Sequence, residues 1–252
     1  MPERGWVGIK IFEKMDYKYQ AIVLGKYDIA ETDRIYVLYT REAGKIRLVA
    51  HGVRKPQAKL AGNLETLSHM EVFVVKSRGR GKITGVIPTD FFAGVKEKIQ
   101  SLEKVFWAVG VFDRLVTQEE KDEKIFDLLL GYLRAMEGMQ EEDPVKADIF
   151  TYGFIFKLFH LAGYGLEMGR CVSCGEMLRS NENFFSAERG GTICLKCAEY
   201  EAERIKITDE TIKFIRLFLE NKISNLGKIR TEEKKLGNLK LVAHQTIKWI
   251  GG

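Results

Sequence analysis

At 252 residues, 45% hydrophobic and 30% charged, the chain is long enough for one large domain or two modest ones with an ample core. This composition excludes a low-complexity, collagen-like or disulfide-dense scaffold. The formal net charge of +5 is unevenly spread. Arg41 to Lys82 alone carries ten cations against Glu42, Glu65 and Glu71, leaving the remainder slightly acidic, a local excess that suits a polyanion partner.

Met1-Pro2-Glu3-Arg4-Gly5 has neither the apolar core nor the cleavage site of a signal peptide. Residues 1–18 are read as an extension, either an extra strand or a poorly ordered arm. From Tyr19 to Phe92 short β-branched and aromatic runs alternate with glycine-bearing turns: Ala21-Ile22-Val23-Leu24, Arg34 to Thr40, Lys45 to Ala50, Met70 to Val75 and Ile83 to Ile87. Alternation is clearest at Lys45 to His51. It sets Ile46, Leu48 and Ala50 on one face, with Lys45, Arg47 and His51 on the other. Five such strands suit a small closed barrel, of which the OB-fold is the commonest nucleic-acid version, with a half-open sandwich as the alternative.

Beyond Phe92 the apolar period lengthens to three and four. It predicts helices over Val95 to Val116, Glu120 to Met139 and Val145 to Gly163, the last started by Asp143-Pro144. Ile149 to Met168 is the most apolar run, but Lys157 and His160 break it, so it reads as a buried helix and not a membrane span. Two further helices are expected, from Thr208 (the N-cap) to about Asn221 and from about Glu232 to Trp249. The fold class is α+β: a barrel domain over 19–92, then a helical domain over 93–252 with an inserted module at about 168–202.

All four cysteines lie in that module, as Cys171-Val172-Ser173-Cys174 and Cys194-Leu195-Lys196-Cys197, nineteen residues apart. Two C-x₂-C turns can converge on one tetrahedral ion, and a Cys₄ shell leaves no open position for water. The expectation is one structural Zn²⁺ in a reducing, cytoplasmic setting. A redox dithiol, a pair of disulfides or unrelated buried thiols are the alternatives. Catalytic chemistry finds little support. The three Gly-Lys-Ile triplets, at Gly44, Gly81 and Gly227, lack the hydroxyl of a phosphate loop. His69-Met70-Glu71 matches half of a zinc deaminase signature, but Ile193 and not proline precedes the second cysteine pair, so His69 reads as an exposed strand residue. The chain is read as a binding protein.

The candidate contacts to nucleic acid are the cations of the barrel segment: Arg34, Lys45, Arg47, the loop residues Arg54, Lys55 and Lys59, and Arg78, Arg80 and Lys82 at a hairpin tip. They suit phosphates, and Tyr36 or Phe73 are possible base-stacking platforms, although such strand aromatics more often serve the core.

Gly44 to Lys55, Leu161-Ala162-Gly163-Tyr164 and Arg170-Cys171-Val172-Ser173-Cys174-Gly175, in this order and spacing, resemble the RecO family of bacterial recombination mediators. The similarity runs from about Tyr19 onward. It implies an OB-fold domain, a helical domain and a zinc module. It further implies sequence-tolerant binding of single- and double-stranded DNA, strand annealing, contact with single-strand-binding protein, and loading of the RecA recombinase together with RecR. DNA repair and recombination at the bacterial nucleoid would be the setting, with no membrane involved. His51 departs from the cation common at its position, and residues before Met15 have no counterpart in the family. An RNA- or ribosome-associated OB-fold and zinc binding protein is the alternative reading.

Overall fold

A computed structural model describes residues 15–251 apart from 30, 56, 59, 77–80, 118–119, 140 and 181. The chain divides into two compact units between Phe91 and Phe92. Of the expected N-terminal extension, residues 1–14 lie outside the described residues, while Met15 to Lys18 begin the first strand.

The first unit holds strands β1 (Met15–Asp28), β2 (Arg34–Thr40), β3 (Gly44–Ala50), β4 (His69–Lys76) and β5 (Lys82–Asp90). They close into a barrel in the order β1-β2-β3-β5-β4. This is the five-stranded OB arrangement. Every pairing is antiparallel except β3 with β5, which meet in parallel at Val49 and Lys82. A shift in register between Val23 and Gly25 lets the long β1 serve both neighbours, pairing with β4 along its first half and β2 along its second. Ile46, Leu48 and Ala50 point inward, as the alternation anticipates, and meet Tyr36, Leu38, Val72, Val74 and Ile83 in the core. Each large aliphatic side chain among them contributes about 1.5–3 kcal/mol on full burial. Closure depends on Gly81. A Cβ there would lie 2.9 Å from both Leu48 Cδ2 and Val74 Cγ1.

The second unit is mainly helical. Helices α1 (Ala93–Lys96), α2 (Ile99–Leu115), α3 (Glu123–Glu137) and α4 (Pro144–Leu161) come first. The single helix expected from Val95 is thus two, because Lys98 is extended. The Glu137 carboxylate accepts the Gly94 and Val95 N–H groups at 3.1 and 2.9 Å, which satisfies the start of α1. Asp122 caps α3 and Asp143 caps α4, with Pro144 in the first turn. Helix α4 is buried on nearly every side, in line with its strongly apolar sequence. Its Phe154 stacks on Tyr132 of α3 at 4.5 Å, and the Tyr132 hydroxyl is 3.0 Å from Thr151 Oγ1.

A three-stranded sheet follows, from β6 (Asn183–Ser186), β7 (Gly191–Cys194) and β8 (Arg204–Ile207), with β6 in the centre. These four-residue strands carry too short a pattern to stand out in sequence. The short helix α5 (Leu195–Ala198) continues directly from β7. Helices α6 (Asp209–Glu220), α7 (Ile223–Leu226) and α8 (Gly237–Gly251) complete the chain, with Thr208 capping α6 as expected. Helix α8 starts five residues later than expected because Glu233–Lys235 form a 3₁₀ turn.

Candidate nucleic-acid interface and metal centre

One edge of the barrel is built by β2, β3 and the turns at their ends. The turn after β3 takes Gly52 into the left-handed region, at φ +67. Its N–H donates to Asp33 Oδ1 at 2.8 Å, while His51 Nδ1 sits 2.6 Å from Asp33 Oδ2. The Arg54 N–H adds a bond to Thr32 O at 3.1 Å. Asp33 thereby latches the β1–β2 turn to the loop that leaves β3. These bonds, led by the Gly52 N–H, hold its carboxyl at about 2. Asp28 plays a parallel part, accepting from Arg34 Nε at 2.6 Å and pairing with Arg54 Nε at 3.4 Å. The Arg34 hydrogen bond keeps the Asp28 carboxyl below its usual range.

The nine candidate cations therefore fall into different classes. Arg34 and Arg54 share the Asp28 carboxylate. Arg47, Lys55 and Lys82 are exposed and, among the described residues, pair with no carboxylate. Arg47 lies two residues before Val49 on the outer face of β3, and Lys82 is the β5 partner of Val49, so both project from one side of the sheet. Lys55 stands in the adjoining loop, its side chain 3.9 Å from where a Gly52 Cβ would be. Lys45 differs from the surface position that alternation assigns it: it is 6% exposed. Lys59, Arg78 and Arg80 lie outside the described residues, although β4 and β5, which the Arg78–Arg80 segment joins, are antiparallel neighbours.

Two aromatic expectations separate. Tyr36 is wholly buried in the barrel core and has no face for a base. Phe73 is half-buried on the outer side of β4, with Lys18 Nζ 6.0 Å from its ring centre. His69 is corrected from exposed to buried: it heads β4 between Ile22 and Asp90. Asp28 and Asp33 were missing from the sequence reading. Only the closeness of two turns separated in sequence shows that these acids organise the basic loop.

In the cysteine module, the four Sγ atoms of Cys171, Cys174, Cys194 and Cys197 lie within 4.8 Å of one another. Cys174 and Cys194 are 3.8 Å apart. Sulfurs bound tetrahedrally at about 2.3 Å from one ion stand about 3.8 Å from each other, so the spacing fits a metal. The first turn is shaped by Gly175, at φ +78, and by its N–H bond to Cys171 O at 2.8 Å. It docks on β7 through Val172 N–H to Thr192 O at 2.9 Å. Cys194 ends β7 and Cys197 lies on α5, so the strand-to-helix junction supplies the second pair.

Electrostatics supports the same reading. Burial acts against the Cys171 thiolate, yet N–H groups of Cys194, Cys174 and Ser173 outweigh it and hold the thiol at about 6. Cys197 is pushed up to about 12, by burial and then by the other sulfurs. Neighbouring thiolates oppose one another's ionisation, and a divalent cation would remove that repulsion. The cluster can hold a metal ion.

In the helical unit, a cleft of about 1580 Å³ runs between α3, α4 and α7. Leu128, Leu161 and Leu219 line one end with Lys124, Lys157 and Lys222, whereas Glu141, Glu142 and Asp143 stand near the start of α4. Lys157 Nζ donates to Leu219 O at 3.3 Å, and partial burial lowers its pKa.

Among the described residues, no helix is long and apolar enough to cross a membrane. Comparison with known proteins accounts for both units. Residues 15–92 match the model of the recombination protein O N terminal region, and residues 107–249 that of its C terminal region. A Dehalococcoides mccartyi protein named DNA repair protein RecO is 28% identical over 93% of this chain and 90% of its own length. A protein of the same name from Halalkalibacterium halodurans is 30% identical over 92% of this chain and 88% of its own. With both halves matched in order, this chain belongs to the RecO family.

Proposed function

We propose that this chain is a DNA repair and recombination mediator that works by binding and not by bond-making chemistry. The observation that carries the reading is the set of exposed cations on an OB barrel, Arg47 and Lys82 on one side of the sheet and Lys55 in the adjoining loop, in a chain of the RecO family. Those residues contact phosphates of single- or double-stranded DNA without reading sequence, and displaced counterions drive the encounter. Arg34 and Arg54, held by Asp28, shape the loop and add positive field. A cationic surface of this kind lowers repulsion between two polyanionic strands, which is the physical requirement for annealing them.

Single-strand-binding protein is the proposed partner of the helical unit. An acidic tail with an apolar end matches the cleft: Leu128, Leu161 and Leu219 accept the apolar side chain, and Lys124, Lys157 and Lys222 attract the carboxylates. RecR joins the complex, and together they clear the way for RecA. One Zn²⁺ on the four cysteines braces the small sheet and takes no part in chemistry.

The test is annealing of complementary oligonucleotides coated with single-strand-binding protein, with and without this chain. Acceleration is expected, and it should fade on raising salt. Equal rates with and without the protein would reject the reading. Replacing Lys157 and Lys222 by alanine should weaken binding of a fluorescent tail peptide several-fold while leaving affinity for naked DNA unchanged.

A further inference from the structure

The C-terminal helix carries a feature that the barrel reading does not use. From Lys234 to Gly252 the sequence contains Lys234, Lys235, Lys240 and Lys248 and no carboxylate. Helix α8 turns Leu239, Val242, Ala243 and Thr246 inward, where they are buried. Its outer side presents Lys240, His244 and Lys248 at successive intervals of four, on one line along the helix. Neither lysine forms an ion pair among the described residues. Leu241, 52% exposed, borders this line, whereas Trp249, 49% exposed, stands about 140° round the helix from His244 and off the line.

The His244 ring stacks on Trp107 of α2, with centroids 5.6 Å apart and planes inclined by 23°. Tyr152 of α4 meets the Trp107 ring edge-on at 6.2 Å. The indole is therefore held in a fixed orientation before any ligand arrives, so little ordering is left to oppose binding. Burial, and then the Lys240 charge, lower the His244 pKa, leaving an uncharged ring.

We propose that the outer face of α8, with Trp107 beside it, is a second nucleic-acid contact, one that stacks an unpaired base against the His244–Trp107 pair while Lys240 and Lys248 hold the phosphates. Eight residues of helix cover about 12 Å. That length matches three to four nucleotides stacked about 3.4 Å apart. Aromatic rings beside cations, without an array of base-reading groups, suit single strands of any sequence. A membrane surface fits less well, because the apolar stripe of α8 already faces the protein interior and its outer side is mixed. The proposal rests on the nucleic-acid reading of the chain. It adds a site outside the barrel, so two strands can be engaged through different surfaces.

The full-length chain with Trp6→Phe retains two tryptophans, Trp107 and Trp249. Titration with oligo(dT) should quench the Trp107 emission, and Trp249→Phe should leave that change in place. His244→Ala should weaken oligo(dT) binding about 5- to 160-fold, the range for loss of one stacked base. Lys240→Ala with Lys248→Ala should lower affinity and flatten its salt dependence, with circular dichroism confirming an unchanged fold.

Oligonucleotide binding that depends on Arg47, Lys55 and Lys82, yet leaves tryptophan emission and the α8 variants unaffected, would overturn this site while the barrel reading stands. Quenching that survives Arg47→Ala/Lys55→Ala/Lys82→Ala but is lost in Lys240→Ala/Lys248→Ala would support an α8 site independent of the barrel. An emission change with phosphatidylglycerol vesicles but not with oligo(dT) would assign the face to lipid and end the proposal.

Discussion

Charge alone does not separate the basic residues of the barrel segment; their partners do. Arg34 and Arg54 are committed to Asp28, whereas Arg47, Lys55 and Lys82 face solvent. Replacing the latter three by alanine should flatten the plot of log affinity against log salt by about 2, at about 0.7 per single-strand phosphate contact. Fluorescence anisotropy over a salt series measures this. Asp28→Ala should act differently, disordering the loop without removing any cation. Asp33 yields a pH prediction. Its folded pKa of about 2 lies below its ordinary value of 3.8, so the stabilising contribution is fully present above about pH 4 and fades as pH falls toward 2. The difference in urea midpoint between the parent chain and Asp33→Asn should therefore be greatest near neutrality and shrink between pH 4 and 2. A difference independent of pH would remove the charged latch from the account.

At the scale of elements, glycines show where helices press together. A Cβ on Gly153, in the middle of α4, would fall 2.2 Å from Leu226 Cδ1 of α7, and one on Gly131 of α3 would meet Ile223 at 3.1 Å. Helix α7 thus seats its two apolar residues against bare backbone on α3 and α4. Gly153→Ala gains helix propensity but overpacks this seat, and overpacking at about 1–3 kcal/mol exceeds the roughly 1 kcal/mol gained. Chemical denaturation should show net destabilisation, partly relieved by Leu226→Ala in the same chain. The cysteine module makes a separate prediction. Purified protein should release one zinc ion per chain to a chromophoric chelator once its thiols are blocked, and Cys171→Ser should release much less. Proteolysis should then cut preferentially near the small sheet, since the sulfur cluster supplies much of its limited core. Oligonucleotide affinity at the barrel should survive the loss of metal.

Across the whole molecule, annealing coated strands requires an approach to DNA, a means of engaging the coat, and a framework carrying both. The barrel cations, the cleft of the helical unit and the four-thiol module are the proposed bearers of these tasks. Much of this was legible in the sequence because it depends on local spacing. Period-two alternation marked the strands, Asp143-Pro144 and Thr208 marked helix starts, and paired C-x₂-C turns marked a metal-sized cluster. These signals act over a few residues, where backbone geometry alone decides who faces whom. The tertiary structure decided the rest. It set the latch of Asp33 on Gly52, the sharing of Asp28 by two arginines, the burial of Lys45 and His69, and the stack of His244 on Trp107. In each case the partners are far apart in sequence or the solvent exposure is set by distant chain. Periodicity along one element carries no information about what another element brings to its surface.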